Sequence, residues 1–279
     1  MEIWGNTLVK NEERYLWFAV TSAIDYVDRL LLWDTGSSDS TPEIISALRK
    51  KYPNKIIIKE FGDVDINEFT QARQAMLEET KGDWVLVLDG DEVWWEGSIK
   101  ELTNTIRKDN CNIESFVHKY FNLVGDIYHF QEEAAGHYQI DAQKGHLNIR
   151  AINRRIPGLH LEKPHGKIGF YDSKGKLVQD RNKSKRKYLG LGYLHFTHLA
   201  RSIAKEADKE VPKRKMKYKY ELGVPFNKDF YYPEVFFKAR PEIVSSVWER
   251  RSNLYVFKAF FQTPLKKIKR RIIKSGTGY

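Results

Sequence analysis

The sequence predicts an α/β fold: a mostly parallel sheet flanked by helices, followed by a helical, basic C-terminal extension. Three observations carry this. Residues 1–92 alternate between short apolar runs and amphipathic stretches, the pattern of strands joined through helices. Trp84-Val85-Leu86-Val87-Leu88 is a continuous apolar run, which suits a strand buried on both faces. That run stops at Asp89-Gly90-Asp91-Glu92, and open α/β sheets bind ligands at the carboxyl ends of their strands.

In order along the chain, Ile3 to Val9 reads as a first strand. Asn11 is expected to cap a helix that carries Tyr15, Phe18 and Ala19 to about Val27. Arg29 to Asp34 is a second strand ending in an acid. A polar turn, Gly36 to Asp39, leads to a helix start with Thr41 as cap and Pro42 in the first turn. That helix runs through Ile44, Ile45 and Leu48 to about Lys51. Ile56-Ile57-Ile58 is a short strand, and Phe69 to Glu79 a helix with Ala72, Ala75, Met76 and Leu77 on its apolar side. The strand that ends at Asp89 follows. Asp34 and Asp89 therefore come to the same sheet edge, because parallel strands all point one way. Two carboxylates across one glycine suit a hard cation such as Mg²⁺ or Mn²⁺, which binds phosphate oxygens in turn.

Composition bounds the rest. The chain has 279 residues, 41% hydrophobic and 30% charged, enough for a sizeable core in one large domain or two small ones. Its one cysteine, Cys111, excludes an intrachain disulfide and fits a reducing compartment. No basic stretch and apolar run open the sequence, so no signal peptide is expected, and no apolar run is long enough to span a membrane. Residues 1–110 carry 13 Lys+Arg against 21 Asp+Glu, and residues 111–279 carry 34 against 16, which gives the net charge of +10. The uneven balance suggests a division of labour, with the basic half suited to anionic lipid, an acidic glycan or nucleic acid.

The run Asp34-Thr35-Gly36-Ser37-Ser38-Asp39-Ser40-Thr41, followed by Leu88-Asp89-Gly90-Asp91-Glu92, resembles the family 2 glycosyltransferases of GT-A fold. Val9-Lys10-Asn11-Glu12-Glu13 is similar to their first-loop motif, and Phe69-Thr70-Gln71-Ala72-Arg73 to their donor-contacting segment. The resemblance covers residues 3–100 strongly and the remainder weakly. It implies a nucleotide-sugar donor, most simply UDP-linked. Asp34 and Asp39 would face its nucleoside, with Val9, Asn11, Glu12 and Thr35 lining the same pocket; Thr35 stands where many members carry a second Asp. Asp91 would ligate the metal, Asp89 and Gly90 would meet the ribose or the metal, and Arg73 would support the diphosphate. Relatives often carry a late His in the metal shell, here His195. An inverting reaction also needs a base, for which Glu162 is the choice, with His165 and Asp141 as rivals.

The resemblance divides the chain into a transferase domain, residues 1–198, and a basic extension, residues 199–279. Within the first, residues 1–110 would bind the donor and residues 111–198 the acceptor. Trp94 and Trp95 offer an acceptor platform or core packing. Residues 112–148 are expected to extend the sheet, residues 172–187 to form an exposed basic loop, and residues 199–222 a basic helix interrupted at Pro212. Residues 254–274 read as a basic amphipathic helix suited to an anionic membrane. Nucleic acid is not expected, since no recognition motif accompanies the charge. The expected activity is metal-dependent, inverting transfer to a glycan or lipid-linked acceptor at the cytoplasmic face of a membrane, in surface-glycan synthesis. A retaining transferase, a nucleotidyltransferase and a non-catalytic glycan- or membrane-binding protein are the alternatives.

Overall fold

A computed structural model describes residues 1–65, 68–109, 112–164, 166–211 and 214–272; Cys111, His165 and Pro212 lie outside them. The first half runs β1 (Ile3–Val9), α1 (Leu16–Ala23), β2 (Arg29–Asp34), α2 (Thr41–Lys51), β3 (Ile56–Glu60), α3 (Glu68–Glu79) and β4 (Trp84–Val87). This is the alternation expected from sequence. Then come β5 (Glu92–Trp94), α4 (Glu96–Lys108), β6 (Ser115–Val124), β7 (Asp126–Phe130), β8 (Tyr138–Ile140), β9 (Gln143–Gly145) and β10 (Leu147–Asn153). The remainder is β11 (His160–Glu162), β12 (Gly169–Tyr171), β13 (Arg186–His195), α5 (Lys205–Glu210), α6 (Arg214–Lys217), β14 (Val224–Pro225) and α7 (Asn253–Ile272).

Strands β3, β2, β1 and β4 lie side by side and parallel. Beyond β4 the sheet turns mixed. Strand β10 runs antiparallel between β4 and β6, while β13 lies parallel to β6 and antiparallel to β5. Strands β1 and β4 are buried along their whole length because both faces are covered. Leu30 and Leu32 pack with α1, whereas Leu31 and Trp33 pack on the other side with Ala72 and Met76 of α3. Alternation along β2 assigns each residue to its face.

Three local expectations are corrected. Asn11 does not cap α1, which starts later; it adopts a left-handed backbone with φ of 54°, a conformation asparagine tolerates. Thr41 is the first residue of α2 and Ser40 precedes it, because the Thr41 hydroxyl accepts a hydrogen bond from the Glu12 amide at 2.8 Å. Where a basic helix broken near Pro212 was expected over residues 199–222, the described residues hold only the short α5 and α6. The extension also shares the main core: Val235, Phe236, Val244 and Val247 are buried with α1 and α4, and Phe236 meets Phe18 edge-on at 5.3 Å.

Candidate active site at the β1–β4 switch point

The strand order 3-2-1-4 reverses direction between β1 and β4, and a crevice opens outside the carboxyl ends of strands at such a point. A cavity of about 440 Å³ sits there. Of the residues expected to bind donor or metal, it is lined by Val9, Glu12, Thr35, Arg73, Asp89, Gly90, Asp91 and His195. Gly90 is required by contact. A Cβ there would stand 2.9 Å from Val9 Cγ1 and 3.2 Å from Glu12 Cγ, so the carboxylate turn could not close on the β1 loop.

Each carboxylate has a guanidinium partner. Asp91 Oδ2 lies 2.8 Å from Arg201 Nη2 and 3.3 Å from His195 Nε2. Asp89 accepts from Arg73 and, at 3.2 Å, from Arg150. Glu92 is fully buried and accepts from Arg150 Nε at 2.9 and 3.0 Å. The register of β10 shifts between Ile149 and Ala151, and a bulge of this kind re-aims the side chain between them. Glu12 Oε1 accepts from Arg201 Nη1 and Arg214 Nη2, both at 2.6 Å.

These pairings split the acids into two groups. Burial alone would raise all four. For Asp89 the guanidiniums of Arg73 and Arg150 overcome burial, and for Asp91 Arg201 and His195 do so, so both stay far below the usual carboxylate range. For Glu12 and Glu92 burial outweighs the neighbouring arginines and the carboxyl is raised. Lys217 also faces the cavity; burial lowers its ammonium and Arg201 adds to the effect.

Asp91 and His195 bring a hard carboxylate oxygen and an imidazole nitrogen together at 3.3 Å. Asp91 Oδ2 is buried with no aligned hydrogen bond among the described residues, so the atom has capacity to spare. No group of three or more His, Cys, Asp or Glu side chains converges there among the described residues. Asp89 spends its oxygens on Arg73 and Arg150.

Other expected residues frame the site from behind. The Asn11 amide bonds Ala207 O at 2.8 Å and the Ser38 amide at 2.7 Å. Asp34 accepts from the Ser37 amide at 3.0 Å, closing its own turn. Asp39 bonds the Thr41 amide and the Ser202 hydroxyl. None of these three lines the cavity among the described residues; Ser202, Ala207 and Arg214 pack over Asn11, and Ser202 over Asp39. Glu162 is not brought to the cavity either. Leu161 faces inward, so its strand neighbour Glu162 faces out, bonded to His160 Nε2 at 2.8 Å. Asp141 is held by Arg186 and the Tyr188 hydroxyl, each at 2.7 Å. Trp94 and Trp95 are core and not a platform: Trp94 packs on His118 and Tyr193, and Trp95 donates to Tyr231 O at 2.9 Å.

Sequence reasoning missed Arg150, Arg201, Arg214 and Lys217. A lone arginine inside the apolar run Ile149 to Ile152 was a signal for the first. The others sit in a basic stretch whose pattern does not distinguish inward from outward cations.

The profile described as Glycosyl transferase family 2 matches residues 7–170. The chain belongs to glycosyl transferase family 2. A curated relative, a TPR repeat-containing protein of Synechococcus elongatus, is 35% identical over 85 residues, 30% of this chain and 19% of that protein. The chain thus spans about a fifth of that relative's length. Among solved structures, S. aureus TarS with UDP-GlcNAc has a TM-score of 0.47 at 12% identity, over 78% of this chain and 66% of that one. Glucosyl-3-phosphoglycerate synthase from Mycobacterium tuberculosis, with Mn²⁺ and UDP-glucose, has a TM-score of 0.43 at 17% identity, over 70% and 71%. Among the described residues, no helix of this family 2 chain is long and apolar enough to cross a membrane.

Proposed function

We propose that this family 2 member transfers a sugar from a nucleotide-sugar donor, UDP-linked, to a glycan or lipid-linked acceptor. The observation that carries the reading is one cavity in which the Asp89-Gly90-Asp91 turn and His195 face Lys10, Arg73, Arg201, Arg214 and Lys217. A sugar diphosphate needs that combination: fixed positive charge for its phosphates and a carboxylate turn beside it. Asp91 and His195 would hold Mn²⁺ or Mg²⁺, whose chemistry there is Lewis-acid stabilisation of a diphosphate leaving group. Arg201 and Arg214 add permanent charge where negative charge develops as the anomeric carbon–oxygen bond breaks. Arg150 holds Asp89 in place, while Val9 and Thr35 wall the nucleoside end.

Inversion at the anomeric carbon, a role in surface-glycan synthesis and a cytoplasmic position beside an anionic membrane complete the proposal, with residues 254–274 as the membrane contact. The test is release of nucleoside diphosphate from a panel of nucleotide sugars with Mn²⁺, comparing wild type with Asp91→Asn. Metal-dependent release that falls at least ~100-fold in the variant is expected. No metal-dependent release from any donor defeats the reading. Mn²⁺ binding followed by electron paramagnetic resonance gives an independent readout, and Asp91→Asn and His195→Ala should each weaken it.

A further inference from the structure

Helix α7 has two faces with different tasks. Its inner residues hold the strap at 219–222. The Tyr255 hydroxyl donates to Lys219 O at 2.7 Å and accepts from the Glu221 amide at 3.1 Å. The Thr263 hydroxyl accepts from the Leu222 amide at 2.9 Å, Lys266 donates to Tyr220 O at 2.6 Å, and Arg270 grips both oxygens of Glu221 at 2.7 Å. Read from sequence, the cations from Lys266 onward all serve a membrane; Lys266, Lys267 and Arg270 are instead committed to the protein, Lys267 through Glu132 at 3.2 Å.

The outer apolar residues face away from that strap. Leu254, Phe257, Phe261, Leu265, Ile268 and Ile272 are each more than half exposed. At about 100° per residue, this stripe lies on the opposite side of the helix from Tyr255, Ala259, Thr263 and Arg270. The same arithmetic puts Lys258 and Lys269 along one border of the stripe and Arg271 along the other. No acidic residue occurs in 253–272.

The geometry points to α7 as a docked blade whose apolar stripe enters an anionic lipid surface while its two cationic borders meet the headgroups. A second copy of the chain would bring an identical acid-free helix, so the borders would repel. An anionic bilayer complements the borders and accepts the stripe. This develops the membrane contact proposed above and does not depend on glycosyl transfer, which is read separately by nucleoside diphosphate release without vesicles.

The test is co-sedimentation of the full chain with phosphatidylcholine vesicles, pure or containing about a third phosphatidylglycerol. Binding to the anionic vesicles alone is expected. Lys258→Gln/Lys269→Gln/Arg271→Gln should weaken it about 100-fold, at about fivefold per cation. Phe257→Ser/Phe261→Ser/Ile268→Ser should weaken it at least ~10-fold with an unchanged melting temperature, since all three side chains are exposed. Arg270→Gln should lower the melting temperature and shift partitioning less than any one border cation. Equal binding to both vesicle types, or to neither, overturns the inference. So does a dimer in light scattering that the serine variant abolishes.

Discussion

Replacing Arg150 by methionine tests the electrostatic frame of the site most directly. Arg150 is the guanidinium partner of Glu92, which has no solvent exposure, and a second partner of Asp89. Methionine keeps much of the volume, so the main loss is charge compensation. Asp89 retains Arg73, so the cost falls on Glu92. Removing one partner of a buried ion pair costs about 3–5 kcal/mol, and that is the expected drop in unfolding free energy at pH 8, measured by urea titration with far-UV circular dichroism. The sign with pH follows from Glu92. Burial already raises its carboxyl and Arg150 opposes the rise, so the variant raises it further. Between the ordinary glutamate range and that raised value, the folded state binds more protons than the unfolded one, and stability falls as pH rises. The deficit should therefore be smaller at pH 5 than at pH 8. A loss below about 1 kcal/mol at pH 8, or a deficit that grows toward acid, would refute the assignment of Arg150 as the neutralising partner of Glu92.

Three further outcomes are expected. Burial holds His118 down to about 3 and His146 to about 4, and holds His198 well below the ordinary histidine range. The unfolded chain then takes up protons first as pH falls below about 6.5, and stability should drop between pH 7 and 5 by up to about 1.4 kcal/mol per pH unit per histidine; a flat thermal-melt profile over that range would contradict their burial as neutral rings. Gly90→Ala forces Val9 and Glu12 apart from the turn, and should cost about 1–3 kcal/mol and weaken UDP binding in calorimetry; unchanged affinity and stability would show that the close approach is unimportant. Glu162→Gln should keep turnover within about threefold, since its carboxylate bonds His160 outside the cavity. A loss of ~100-fold or more would place that carboxylate at the reacting atoms after all.

Legibility varied with the range of the interaction. The segments β1 to β4 and their helices follow from apolar runs and turn residues, and these are local. The carboxylate turn was legible because Asp89-Gly90-Asp91 directly follows the strand that carries it. Asn11, Asp34 and Asp39 were recognised as a set, but their side chains tie down the loops after β1 and β2 and do not line the cavity among the described residues. Motif position fixed where they are in the fold; only packing against Ser202, Ala207 and Arg214 fixed where Asn11 and Asp39 point. Trp94 and Trp95 were ambiguous for the same reason, since an aromatic beside an acidic turn reads alike whether it faces sugar or core.

By itself the sequence determined the β/α alternation, the acidic turn at the carboxyl end of β4 and an amphipathic α7, because each is written in the spacing of neighbouring residues. The tertiary structure decided which cation meets which acid. Arg201 reaches Glu12 across 189 positions, and Arg214 across 202. A pair closed over such a distance leaves no periodic trace in the chain, since its partners are chosen by the fold that buries them.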